Sequence, residues 1–117
     1  MNHIEELDVF KVSRSFVKTI YVVTKEFPKD ELFGLVSQMR RAAISICSNL
    51  AEGGARVTDG EKRQFISIAR GSAAELKCQI ALSYDLGFIS VGKFTSMTEE
   101  ISRINQMLTG LLKKYKN

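Results

Sequence analysis

The chain has 117 residues, a formal charge of +4, 44% hydrophobic residues and 26% charged ones. This balance excludes a disordered chain, and the length supports a single domain over residues 1–117 with its own core, without disulfides or a metal. No apolar run is long enough to span a bilayer, and the opening "MNHIEELD" lacks the basic start and apolar middle of a secretory signal. A cytoplasmic protein with no membrane partner is expected.

Helical periodicity runs through the chain and no segment has a period of two. In the first helix Val9, Ser13, Phe16, Ile20, Val23 and Phe27 recur at alternating spacings of three and four, broadened by Val12 and Val17. Pro28, the only proline, disfavours helical geometry in the residue before it and ends this helix. Asp30 is the expected N-cap of a second helix over residues 31–52, whose seam is Leu32, Val36, Met39, Ala43, Ile46 and Leu50. A second stripe, Ile44, Cys47 and Ala51, lies beside that seam, and Gly53 and Gly54 are the expected stop. Thr58 and Glu61 fit a capping box opening a third helix, which turns Phe65, Ala69, Ser72, Leu76 and Ile80 to the core and ends at Gly87. Ser90 caps a fourth helix whose seam runs Phe94, Met97, Ile101, Ile104, Leu108, Leu111 and Tyr115. The connections are short, so successive helices are antiparallel neighbours. The fold class predicted is all-α, an up-down-up-down antiparallel four-helix bundle.

The second helix is unusual for its small side chains and for having no acid between Leu32 and Ala51. Small residues let another backbone approach closely. Two arrangements would use this: a central helix covered on both sides within one bundle, or a helix meeting another subunit. Arg40 and Arg41 lie on this helix. With the hairpin of helices two and three centred near Arg56, both fall opposite Gly71 to Glu75, so Glu75 is the expected partner of one of them, fixing register. The alternative is a ligand site. The same count puts Cys47 opposite Phe65, with Cys78 roughly 20 Å further along at the helical rise. No intrachain disulfide is expected, and the two cysteines form no metal or redox motif.

Catalytic apparatus is missing. His3 is the only histidine, no carboxylate pair or nucleophile elbow is present, and "EGGAR" follows a helix where a phosphate loop would follow a strand. Ser45, Ser48 and Ser72 have no base and are expected to bond back to helical carbonyls. The chain is expected not to be an enzyme and to use no cofactor or metal. Its basic residues are more informative. Lys11, Arg14, Lys18 and Lys25 share the first helix with no acid from Val9 to Lys25, and Arg63, Arg70 and Lys77 recur every seventh residue on the third. The chain ends in "KKYKN". These stripes are either solvated faces or a track for a phosphate backbone.

The segments "FPKDELFGLVSQMRRAAISICSNLAEG" and "FISIARGSAAELKCQIALSYDLG" carry a resemblance over nearly the whole chain. Phe27, Pro28, Gln38, Arg40, Arg41, Ser45, Asn49, Glu52 and Gly53 are similar to the four-helix-bundle family of proteins encoded in intervening sequences of bacterial 23S ribosomal RNA genes. Gly71, Ser72, Glu75 and Leu76 extend the match. The accessory protein of diversity-generating retroelements belongs to the same family. The resemblance implies a homo-oligomer, a ring of five with a basic surface, and Arg40, Arg41, Asn49, Glu52 and Glu75 as structural motif residues. For the retroelement member it implies binding of nucleic acid, RNA or DNA, and of a reverse transcriptase. For the intervening-sequence members it implies no established activity. Two functions follow from different classes: a nucleic-acid-binding bundle, or a scaffold that recruits a protein.

Overall fold

A computed structural model describes residues 7–115, which form four helices and no strand: α1 Asp8–Thr24, α2 Ser37–Gly54, α3 Asp59–Asp85 and α4 Val91–Lys114. His3 and the last two residues of "KKYKN" lie outside the described residues. Each helix packs on the next and α4 closes back on α1, the up-down-up-down bundle expected from the short connections. α1 and α3 therefore stand at opposite corners. At about 1.5 Å per residue α3 is about 40 Å long, and it sets the long dimension of the 43 × 24 × 21 Å molecule.

The outer seams fall where periodicity puts them. Val9, Ser13, Phe16, Ile20, Val23 and Phe27 are all buried, as are Met97, Ile101, Ile104, Leu108, Leu111 and Tyr115. Phe94 is half-buried and stacks on Tyr84 at 4.7 Å. Phe27 meets Phe88 at 5.3 Å, joining the end of the first helical hairpin to the α3–α4 turn.

The start of the second helix differs from expectation. Lys29–Glu31 form a 3-10 turn and Leu32–Val36 a wider π turn, so regular α-helix begins only at Ser37. Asp30 is exposed, and the capping role falls to Glu31, whose Oε1 accepts a hydrogen bond from Leu35 N at 3.3 Å. Gly34 leaves helical geometry (φ −112°, ψ −111°), which turns Leu32 out of the seam. Beyond Ser37 the small residues have an internal explanation. Ala42, Ala43, Met39, Ile46 and Leu50 are buried, and α2 lies between α1 and α3, covered on both sides within one bundle.

Gly53 and Gly54 also behave differently from the expected stop. Both lie inside α2, and among the described residues Gly87 is the only one with a positive φ. Gly53 is buried where a Cβ would lie 3.2 Å from Phe65 Cβ, so it serves close approach of α2 to α3. The helix ends instead under Lys62, whose ammonium donates to the carbonyls of Arg56 (2.6 Å), Gly53 (3.4 Å) and Gly54 (3.5 Å). A cation at the free carbonyls of a helix end is favourable twice over, by hydrogen bonding and by the helix dipole.

α3 opens as expected, with Thr58 Oγ1 accepting from Glu61 N at 3.2 Å, although the Glu61 carboxylate returns to the Thr58 hydroxyl (3.0 Å). Its buried face is Ile66, Ala69, Ala73, Leu76 and Ile80, so Phe65 and Ser72 sit at the edge of the core. The pairs Ser45–Ser72 and Gly53–Phe65 place the centre of the α2–α3 hairpin a little beyond Arg56, which accounts for the rotation. α3 closes in a left-handed turn at Gly87 (φ 79°), with Gly87 N bonded to Tyr84 O and Phe88 N to Ser83 O. Ser90 Oγ then caps α4 through Lys93 N at 3.2 Å.

Candidate nucleic-acid interface

α1 presents Lys11, Arg14 and Lys18 on one exposed edge, because spacings of three and four return to the same face of a helix. With Val17, Ile44 and Cys47 these residues line an open groove of about 560 Å³ between α1 and α2. Ile44 also borders a second groove of about 470 Å³, whose walls include Tyr21, Phe33, Arg40 and Arg41. The two grooves make one strip along the α1–α2 face. Lys25 is exposed at the far end of α1, beside the hollow formed by Phe27 and Pro28.

Residues 9–25 and 32–51, which supply this strip, contain six cations and no acid. The connection between the two helices, residues 26–31, carries Glu26, Asp30 and Glu31 against Lys29. The cations of α1 stand along a groove, whose low-dielectric walls focus their field.

The third-helix stripe is not equivalent. Arg63 is half-buried, and its guanidinium donates to the carbonyls of Leu112 and, at 2.8 Å, Tyr115. It serves the C-terminal end of α4, where carbonyls lack intrahelical donors, and so is withdrawn from the predicted nucleic-acid set. Arg70 and Lys77 are exposed, but they stand on the corner opposite α1. The two stripes cannot form a single track on one subunit.

The expected ion pair to Glu75 is likewise not made. Arg40 turns toward α1: its Nε donates to Thr24 Oγ1 at 3.0 Å, and its guanidinium lies 4.5 Å over the Tyr21 ring. The buried Thr24 hydroxyl in turn donates to Ile20 O at 2.6 Å. Arg41 lies between the second groove and an open hollow that it lines with Gln38, Glu75 and Gln79, outside ion-pair distance of the carboxylate. Solvent between exposed groups removes most of what such a pair would contribute. Replacing Glu75 with Gln is accordingly expected to change stability by no more than ~0.5 kcal/mol. A thermal melt displaced by several degrees would restore the register-fixing role.

Polar motif residues instead tie α2 to α3. Ser45 Oγ and Ser72 Oγ are 2.8 Å apart, and Asn49 Nδ2 donates to Ser45 O (2.9 Å) and Ser45 Oγ (3.0 Å). Ser45 and Ser72, expected to bond back to helical carbonyls, thus bond to each other between α2 and α3. Glu52 pairs with Arg56 at 3.2 Å, and Arg56 also approaches Glu61 (4.0 Å) and covers the Phe65 ring at 4.8 Å. Arg56 was not singled out from the sequence, although its i, i+4 spacing from Glu52 was a usable signal.

Cys47 lies half-buried on the groove floor. Burial pushes its thiol up, outweighing the pull of the Arg14 charge in the other direction. Cys47 and Cys78 are both free thiols. Among the described residues no group of three or more His, Cys, Asp or Glu is placed to hold a metal ion, and no helix is long and apolar enough to cross a membrane.

Fold and surface together define a small antiparallel helical bundle with basic grooves along α1 and α2. Over residues 5–110 the chain matches the family described as 23S rRNA-intervening sequence protein, and it belongs to that family. A crystal structure of a protein with unknown function from the S23 ribosomal protein family of Bacteroides thetaiotaomicron is similar at 22% identity and a TM-score of 0.83, with 90% of this chain and 95% of that chain covered. This likeness concerns the fold. No match was found among curated proteins.

Proposed function

We propose that this protein is a non-enzymatic nucleic-acid-binding bundle of the cytoplasm that holds a phosphate backbone, RNA in the first instance, along its α1–α2 face. The observation that carries this reading is that six cations and no acid lie on the α1 and α2 segments, 9–25 and 32–51, that line the two grooves. Lys11, Arg14 and Lys18 are exposed along the groove edge, with Arg41 further along the strip.

The working form in this reading is a homo-oligomer, and the resemblance sets the expected number at five. Leu82, Tyr84, Leu86 and Val91 are all exposed around the α3–α4 turn and supply apolar surface for contact between copies. A ring repeats the basic face in every subunit, so weak single contacts add by avidity. Light scattering is expected to give a multiple of the 13.1 kDa chain, and a monomer at micromolar concentration removes the ring.

Binding is tested by mobility shift at several salt concentrations. Each neutralised phosphate releases counterions, so affinity should fall steeply as salt rises. Reversing Lys11, Arg14 and Lys18 to Glu should abolish the shift at moderate salt while leaving the helical circular dichroism intact, because all three are exposed. A folded triple variant that binds RNA as the parent does ends this reading. It would leave the scaffold that recruits a protein, such as a reverse transcriptase, as the better one.

A further inference from the structure

The strip described above ends in an aromatic residue with no packing role. Phe33 is 93% exposed, and it is not on a loose loop. Pro28 closes the preceding segment, Glu31 Oε1 holds Leu35 N, and at Gly34 a Cβ would come within 3.2 Å of that same carboxylate oxygen. The turn is thus built around a glycine, and it displays the ring beside Arg40 and Arg41 on the wall of the second groove. Arg40 is already oriented there. Its Nε is occupied by Thr24 and its plane is set over Tyr21, while its terminal nitrogens have no partner among the described residues. A fixed guanidinium, a free one, an exposed aromatic face and an apolar floor of Val36 and Ile44, in a helix with no acid from 32 to 51, call for a ligand that is flat, apolar-faced and anionic.

We propose that this groove takes an unpaired nucleobase of an RNA strand, stacked on Phe33, with the adjoining phosphate held by Arg40 and Arg41. The proposal rests on the nucleic-acid reading and refines it. Bases inside a duplex keep their faces covered by neighbours, so only a single strand, a loop or a bulge can use Phe33, whereas the α1 edge can hold phosphates of either form. Stacking is indifferent to base identity, so the groove selects strandedness before sequence.

The test is fluorescence anisotropy with the full chain and two labelled probes, a single-stranded 20-nucleotide oligoadenylate and a 20-base-pair RNA duplex. Phe33→Ala should weaken single-strand binding roughly tenfold, leave the duplex unchanged and keep the salt dependence of the parent. Phe33→Trp should restore the single strand. Arg41→Ala should lower the slope of log affinity against log salt by about one phosphate, near 0.7 for a single strand. If Phe33→Ala binds the single strand as the parent does, the stacking proposal is overturned and the α1–α2 reading survives on the duplex result. Equal loss on both probes, with a fall in assembly mass by light scattering, would assign Phe33 to contact between copies and also overturn it. A parent that binds neither probe removes both readings.

Discussion

Replacing Ile104 with Asp is expected to leave the chain without a cooperative thermal transition. Ile104 is fully buried in the middle of α4, on the seam that faces α3 and α1. Two costs add there. Losing a buried isoleucine side chain costs about 2–5 kcal/mol, and a carboxylate with no buried partner must either be desolvated or take up a proton at a further cost of several kcal/mol. Domains of this size have roughly 5–15 kcal/mol of stability in total. The sum reaches the lower part of that range, so the folded state should be lost or nearly so at neutral pH. The same logic gives a pH signature. A buried Asp is raised above its unfolded value, so the penalty for ionising it is absent at low pH and grows as pH rises past the unfolded pKa. Partial recovery of helicity on acidification would fit, and a variant melting within a few degrees of the parent at pH 7 would remove Ile104 from the core.

The elements legible in the sequence are those whose geometry depends on nothing outside their own helix. α1 and α4 each bury one stripe, so alternating spacings of three and four map directly onto burial from Val9 to Phe27 and from Met97 to Tyr115. Caps at Thr58 and Ser90 are equally local. The turn before α2 was not legible, because Leu32, Val36 and Met39 keep the helical spacing while Glu31 and Gly34 locally break the helix. Adjacent arginines on a helix point about 100° apart, so Arg40 and Arg41 had to serve different neighbours. Which neighbour each serves depends on a hairpin centre that the sequence count placed slightly too early. Arg63 shows the opposite case. The start of α3 and the end of α4 must be level in an antiparallel pair, so its service to the carbonyls of Leu112 and Tyr115 could have been anticipated. Its periodic spacing with Arg70 and Lys77 concealed this.

The helix boundary at Gly53 gives the second large effect. A Gly53→Leu variant is expected to lose ~3 kcal/mol or more, lowering the melting temperature by roughly 10 °C. The first added carbon would already lie 3.2 Å from Phe65 Cβ and 3.5 Å from the Lys62 carbonyl oxygen, and neither can swing aside, one being at the root of its side chain and the other backbone. A branched side chain at this buried position therefore has to part α2 from α3. Parting them also draws Lys62 away from the carbonyls of Arg56, Gly53 and Gly54, and the end of α2 loses its cation. Gly53→Ala separates packing from propensity. Alanine gains about 1 kcal/mol over glycine inside a helix, which offsets much of the cost of one crowded methyl group at roughly 1–3 kcal/mol. The alanine variant should thus melt close to the parent and the leucine variant far below it. If glycine were there only to end the helix, both variants would behave alike, and equal melting temperatures would show that α2 and α3 do not depend on this close approach.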